Sequence, residues 1–411
     1  MAIMAITNNY DVIIVGGGAA GFAAASFLSA SKKRVLIIEK ENKPMKKLGL
    51  TGKGRCNLTN NCDIETVLRN IIKNAAFMRS SLNEFSPADT IAFFEQAGVP
   101  LKTERGGRVF PVSDKAGDIV HCLNTQSRSA VRIKDRAIEP IVENNIIKGV
   151  KCVNGTYLAP AVIIATGGAS YPATGSTGDG YEMARRAGHT IIPIKPALVP
   201  LETEQDYSEL AGLTLKNIRL TLKNNNKTLY SEQGELLFTH FGVSGPLVLT
   251  ASCYIENPIG CQLSIDIKPA LDEKTLDNRI LRDFSENKNR RFKNSLSALL
   301  PQKLAAIFVR RSGIDPEKQV NEITKEERRR LLMLFKDFGL TVTALRPFEE
   351  AVITDGGVSV KEIDPRTMQS KLVKGLHFAG EIIDVIGFTG GFNLQLAFST
   401  AHAATTALIL P

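Results

Sequence analysis

Three features of the sequence predict an α/β protein: a Rossmann-like dinucleotide-binding domain with an inserted antiparallel, barrel-like β domain and a helical insertion. A glycine-rich turn at residues 16–21 follows a short apolar strand and opens an alanine-rich helix. Apolar strands that run into glycines recur near residues 161 and 375. Between them the hydrophobic period changes, first to the alternation of strands and then to the three-to-four spacing of helices.

Each element follows in order. Residues 10–15 are apolar without alternation, as a parallel strand buried on both faces requires. Residues 19–30 are rich in Ala, with Phe22, Phe27 and Leu28, which suits a helix packed tightly on a sheet. Residues 34–38 give the second strand, ending at Glu39. A strand at 161–165 runs into Thr166, Gly167 and Gly168, and one at 375–379 into Gly380 and Glu381. Gly390 and Gly391 open a final helix over about 393–408. Residues 192–266 alternate apolar and polar positions, with a turn at Asn224, Asn225 and Asn226. From 270 to 338, positions such as Leu296, Leu299, Leu300, Leu304, Ile307 and Phe308 read as an amphipathic helical segment. The expected domains are 1–191, the first part of the dinucleotide-binding domain; 192–269, the β insertion; 270–340, the helical insertion; and 341–411, a return to both earlier domains.

Composition narrows the class. The chain has 43% hydrophobic and 23% charged residues, the balance of a globular protein. No apolar run approaches the ~20 residues of a membrane span, and residues 1–9 lack a basic leader, so no membrane association and no signal peptide are expected. The six cysteines (Cys56, Cys62, Cys122, Cys152, Cys253, Cys261) form no CxxC pair, which suits a reduced, cytoplasmic chain without structural zinc. The net charge of +9 is concentrated: residues 31–55 carry nine Lys or Arg against two Glu, and residues 271–340 carry sixteen basic against eleven acidic. Such segments are either solvated faces or footprints for the phosphates of a nucleotide or nucleic acid.

The glycine turn carries the first chemistry. Gly16 permits the tight turn, Gly18 lets backbone N–H groups approach a pyrophosphate, and Gly21 allows close helix–strand packing. Ala19 and Ala20 begin the helix whose dipole faces the phosphates. Glu39, with Lys40 beside it, is placed to accept hydrogen bonds from an adenosine ribose, and its charge disfavours a 2′-phosphate. That leaves FAD or NAD. Thr166-Gly167-Gly168 and Gly380-Glu381 look like the second and third signatures of two-dinucleotide-type flavoproteins, which selects FAD.

Longer motifs carry a closer resemblance: residues 50–60 (LTGKGRCNLTN), 104–111 (ERGGRVFP), 237–246 (LFTHFGVSGP), and 380–395 from GEIIDV to GGFNLQ. In these the chain resembles the bacterial flavoproteins of the BaiN/RdsA type, also called aminoacetone-oxidase-like. It departs at Ala401, where that family usually has glycine. The resemblance implies an FAD fold with barrel-like and helical insertions, and FAD-dependent redox chemistry. For some members it implies reduction of a uridine in large-subunit ribosomal RNA to dihydrouridine, and for others action on aminoacetone-like amines or bile-acid intermediates.

Candidate chemistry follows from residue type. A helix N-terminus at Gly390, Gly391, Phe392 and Asn393 suits the negative edge of a reduced flavin. Gly52, Lys53, Arg55, Cys56 and Asn57 form a glycine-punctuated loop able to cross the pyrophosphate and reach the ring. Cys56 is a candidate proton donor, its pKa lowered by the neighbouring cations, or else a packed small residue. Arg105 and Arg108 are candidate anion contacts, and His240 a candidate substrate ligand or proton carrier. No metal site or hydrolytic triad is expected. Only one GxGxxG is present, so NADH or NADPH, the expected electron donor, must bind without its own Rossmann unit. If structured RNA is the partner, the run Arg328-Arg329-Arg330 and Lys46-Lys47 are the expected contacts; otherwise the substrate is a small molecule.

Overall fold

The computed structural model describes residues 6–225 and 227–409. Asn226 of the expected turn and residues 1–5 of the N-terminal segment lie outside the described residues. The chain divides into two compact units, Met1–Ala197 with Phe348–Pro411, and Leu198–Pro347.

The first unit is built on a five-stranded parallel sheet. Its order is Leu376–Phe378, Ala161–Ile164, Val12–Val15, Val35–Glu39, Val131–Lys134. The three central strands are Val, Ile, Leu and Ala up to the final Glu39, because both faces are buried and no position is left for alternation: the helices Ala19–Phe27 and Phe392–Ile409 and the strand Ile146–Cys152 all pack into the same core. The strand pair Ile191–Ala197 and Ile353–Val358 also belongs to this unit. The helix Ala19–Phe27 buries residues 20–26 and starts at Gly18. Small side chains make that approach possible. The final helix, Phe392–Ile409, is buried along most of its length, Ala401 included.

In the second unit, strands Leu201–Thr203, Gly242–Ser244, Lys227–Phe238, Thr214–Asn224, Cys261–Asp266 and Phe338–Leu345 close a barrel in that order. Alternation along Thr214–Asn224 puts Leu215, Ile218, Leu220 and Leu222 in the core. Helices Glu273–Glu286, Gln302–Ser312 and Lys325–Lys336 share that core. The last begins with a reciprocal cap between Thr324 and Glu327. The expectation of helical spacing from Leu296 to Phe308 is corrected: the helix begins only at Gln302, because Pro301 cannot continue one begun earlier. Leu296, Leu299 and Leu300 are buried from the loop between the 3₁₀ turn Phe292–Asn294 and that helix.

Candidate functional site

The glycine turn sits where the strand Val12–Val15 meets the first helix. Gly16 has φ +107°, and a Cβ there would lie 2.5 Å from the Ala165 carbonyl oxygen. A Cβ on Gly21 would stand 2.0 Å from the Gly16 oxygen. Both positions admit glycine alone. Gly18, by contrast, faces open space, with nothing within 4 Å of a Cβ. Glu39 lies beside this opening, its carboxylate accepting from the N–H groups of Gly17 at 2.6 Å and Glu41 at 2.8 Å. A cleft runs on from here, lined by Gly16, Glu39, Lys40, Ala137, Thr166 and Asp179. Lys40 does not reach into solvent: it bonds Thr177 and pairs with Asp179 at 2.9 Å. The hydroxyl of Thr166 is buried without a partner.

Glu381 is held by three partners from distant parts of the chain. One oxygen accepts from the Ser170 hydroxyl at 2.9 Å and the Thr354 N–H at 2.8 Å; the other meets Lys47 at 2.8 Å. Lys47 also reaches the Ser170 hydroxyl at 2.9 Å. Gly167 has φ +73°. Gly168 is required, since a Cβ would fall 2.4 Å from the Thr354 hydroxyl. Gly380, at φ +78°, leaves room for Ala20 of the first helix.

Three loops converge on the head of the final helix. A Cβ on Gly391 would lie 2.3 Å from the Thr59 carbonyl oxygen, and one on Gly390 3.0 Å from the Phe392 ring, itself buried. Asn60 donates its amide to the Gly106 carbonyl at 2.9 Å and the Gly390 carbonyl at 3.1 Å. The Asn393 amide exchanges two hydrogen bonds with Gly387, both 2.8 Å, and so clamps the turn rather than offering a ligand. The neighbouring loop passes through left-handed backbone at Gly52, Lys53, Gly54 and Cys56. Lys53 is exposed, and the amide oxygen of Asn57 is buried without a partner.

Several expectations need correction. Cys56 is fully buried, and burial pushes its thiol up to about 12, so the neighbouring cations do not lower it. Arg55 is not free to meet a pyrophosphate. It bonds Glu104 and Asp114 and stacks on Phe110 at 4.1 Å. Of the arginine run, Arg328 pairs with Asp277 at 2.6 Å and Arg330 donates to the Ser312 carbonyl; of the lysine pair, Lys46 pairs with Glu41 and Lys47 with Glu381. His240 belongs to the second unit, exposed, its ring edge-on to Phe241 at 4.9 Å. Sequence reasoning gave Lys47 to an RNA contact rather than to Glu381, and missed Ser170, Thr354, Asp179 and Asn60. Asn60 alone gave a signal, inside the LTGKGRCNLTN motif. The others act through contacts between distant segments.

One buried constellation imitates a hydrolytic triad. His189 Nε2 lies 2.8 Å from the Ser370 hydroxyl, and Nδ1 lies 3.2 Å from Glu362. Ser370 also accepts the N–H groups of Leu372 and Val373, and both Ser370 and His189 are buried. It closes a turn. Among the described residues no group of three His, Cys, Asp or Glu is placed to hold a metal, and no helix is long and apolar enough to cross a membrane.

FAD fits these residues. The open face at Gly18, the orphaned Thr166 hydroxyl, and the Glu39 and Glu381 carboxylates match the groups a dinucleotide offers. The fold is shared with a variant of Escherichia coli quinol fumarate reductase, at TM-score 0.51 and 17% identity over 98% of this chain and 70% of that one. That likeness shows the fold alone; with the family match and the named reductase and synthase relatives that follow, the protein is an FAD-dependent oxidoreductase. Its family follows from the sequence match: a model described as the HI0933-like protein Rossmann domain covers residues 10–407, and the chain belongs to that family. It is 31% identical to the ribosomal RNA dihydrouridine synthase of Escherichia coli, over 92% of each chain. It is also 29% identical to a 3-dehydro-bile acid delta(4,6)-reductase of Clostridium scindens, over 90% of this chain and 91% of that one.

Proposed function

We propose that the protein is a cytoplasmic enzyme that reduces a uridine in large-subunit ribosomal RNA to dihydrouridine, with NADH or NADPH as electron donor. Relatives of both substrate classes are almost equally similar, so identity does not choose between them. The surplus of exposed, unpaired cations carries the choice. In the second unit, residues 287–294 read NKNRRFKN: Phe292 is buried as an anchor, while Lys288, Arg290, Arg291 and Lys293 are exposed. Arg291 and Lys293 share Glu317; Lys288 and Arg290 make no ion pair among the described residues. Such a loop suits a polyanion, whose phosphates pair with exposed cations.

Bound FAD would supply the hydride that goes to C6 of the uracil, while a proton goes to C5. Glu39 would hold the adenosine ribose, and Glu381, fixed by Lys47 and Ser170, the ribityl or pyrophosphate region. The N–H groups at Gly391 and Phe392 would face the edge that becomes negative on reduction, already oriented by the Asn60 and Asn393 clamps. Cys56 is not assigned the C5 proton. The base must leave its stack to be reduced, at a cost of a few kcal/mol, which cation–phosphate contacts offset.

The test is a map of dihydrouridine in ribosomal RNA from cells lacking the gene, followed by restoration with the purified protein. A position that loses dihydrouridine and regains it is the expected result. If every dihydrouridine persists, reduction of an unsaturated small molecule replaces this reading, as the likeness to a bile-acid reductase allows.

A further inference from the structure

The hairpin Leu101–Thr103 and Arg108–Pro111 has no part in the function so far, yet its tip is stitched to the head of the final helix. The two-residue strand Thr59–Asn60 lies between them. On one side it pairs with the hairpin, Thr59 opposite Val109 and Asn60 opposite Arg108. On the other, Gly391 packs against the Thr59 backbone, and the Asn60 amide bonds both Gly106 and Gly390. Strands stand about 4.8 Å apart, so Arg108, opposite Asn60, roots roughly one strand spacing from the strand that touches the helix head, and Arg105 stands in the turn just before it. Gly107 makes the close fit possible, since a Cβ there would meet Asn60 Oδ1 at 2.3 Å.

Charge at this tip is unbalanced. Asp114 pairs with both Arg55 and Lys102, and Glu104 pairs with Arg55, with Lys102 close by at 3.9 Å. That satisfies the two carboxylates and leaves Lys53, Arg105 and Arg108 exposed with no acid among the described residues. Arg108 is oriented by its Nε, which donates to the Arg105 carbonyl at 3.1 Å. The Arg108 guanidinium, which also lies 5.9 Å from the centre of the Phe110 ring, and the exposed Arg105 on the same glycine tip suit a phosphate diester, which accepts hydrogen bonds from two directions.

We infer that Arg105 and Arg108, with Lys53, grip the RNA backbone beside the nucleotide being reduced, and so set the enzyme's preference for a phosphate-bearing substrate. This rests on the RNA reading above. The test uses the full-length, FAD-loaded protein with Arg105→Ala and Arg108→Ala combined, on a large-subunit ribosomal RNA transcript and a short uridine-containing RNA oligonucleotide. KM and the oligonucleotide Kd should rise by roughly tenfold per arginine, with kcat and FAD content little changed. The log–log salt slope of binding should flatten by about 0.7 for each arginine. The Arg105→Lys, Arg108→Lys variant should recover the slope but only part of the affinity. If the unaltered protein forms dihydrouridine and the alanine variant matches it in KM, Kd and slope, the grip is refuted while the RNA reading stands. If the unaltered protein forms no dihydrouridine in RNA and reduces an unsaturated small molecule instead, both fall together.

Discussion

Cys56 and Glu39 show how far a residue's role depends on what surrounds it. The thiol is sealed in the core, where burial pushes it up to about 12, so it stays protonated and out of reach. A thiol-specific reagent such as DTNB should therefore leave Cys56 unmodified in the native protein and react only on unfolding. Cys56→Ala should change the rate at which substrate oxidises the flavin by less than about twofold, where loss of a general acid costs about 10²–10⁴-fold. A larger drop in stopped-flow measurements would return the thiol to the chemistry. Glu39 is held at the mouth of the cofactor cleft by two backbone N–H groups. Removing its carboxylate, as Glu39→Ala, should weaken FAD binding by roughly 1.5–3 kcal/mol, read by fluorescence titration of the apoprotein.

At the scale of elements, the strand Leu376–Phe378 carries a histidine into the core. His377 is buried, its Nδ1 against the Thr367 carbonyl at 2.9 Å, and burial lowers its pKa to about 4. The sign follows: a histidine ionising near 6.5 when unfolded takes up a proton that the folded state refuses, so stability falls as pH drops from about 6.5 towards 4. The full penalty is roughly 3 kcal/mol. Burial lowers His189 and His402 as well, so the acid limb should be steep. Urea titrations across that range should show it, and His377→Asn should remove about one proton from the slope. The parallel strands and the glycine turn were legible because their burial and backbone needs are written in local residue types, as in Val12–Val15 and Gly16. The pairing of Lys47 with Glu381 and of Arg55 with Glu104 was not, because charge counted along the chain does not say which carboxylate folds back onto it. Pro301 was in plain view, and an apolar spacing that happened to continue across it concealed the break.

For the molecule as a whole, charge left over after pairing matters more than charge counted. Arg328 is tied to Asp277 and only partly accessible, so replacing the full run Arg328–Arg329–Arg330 would disturb the helical segment as well as any RNA contact. Lys288 and Arg290 are the better probe, exposed on a loop anchored by Phe292. Under the RNA reading, Lys288→Ala with Arg290→Ala should flatten the log–log salt dependence of RNA binding by about 1.4, at 0.7 per phosphate on single strands. Thermal stability should shift little, since exposed unpaired cations contribute little to folding. Fluorescence anisotropy from low to physiological salt would measure the slope, and an unaltered slope would leave that loop as a solvated surface.

The first unit is assembled from both ends of the chain, and this bears on how the protein is made. When residue 197 has left the ribosome, the strand Ala161–Ile164 is still an open edge, because its neighbour Leu376–Phe378 does not yet exist. The barrel, contiguous from Leu198 to Pro347, can complete itself meanwhile. Glu381 and the glycines at the head of the last helix follow the barrel in the chain, so a nascent chain that stops short of them has no finished pocket to load. Cofactor capture is thereby deferred until the barrel has been made, and a product terminated before Leu376 exposes an unpaired, wholly apolar β-edge that quality-control machinery can recognise.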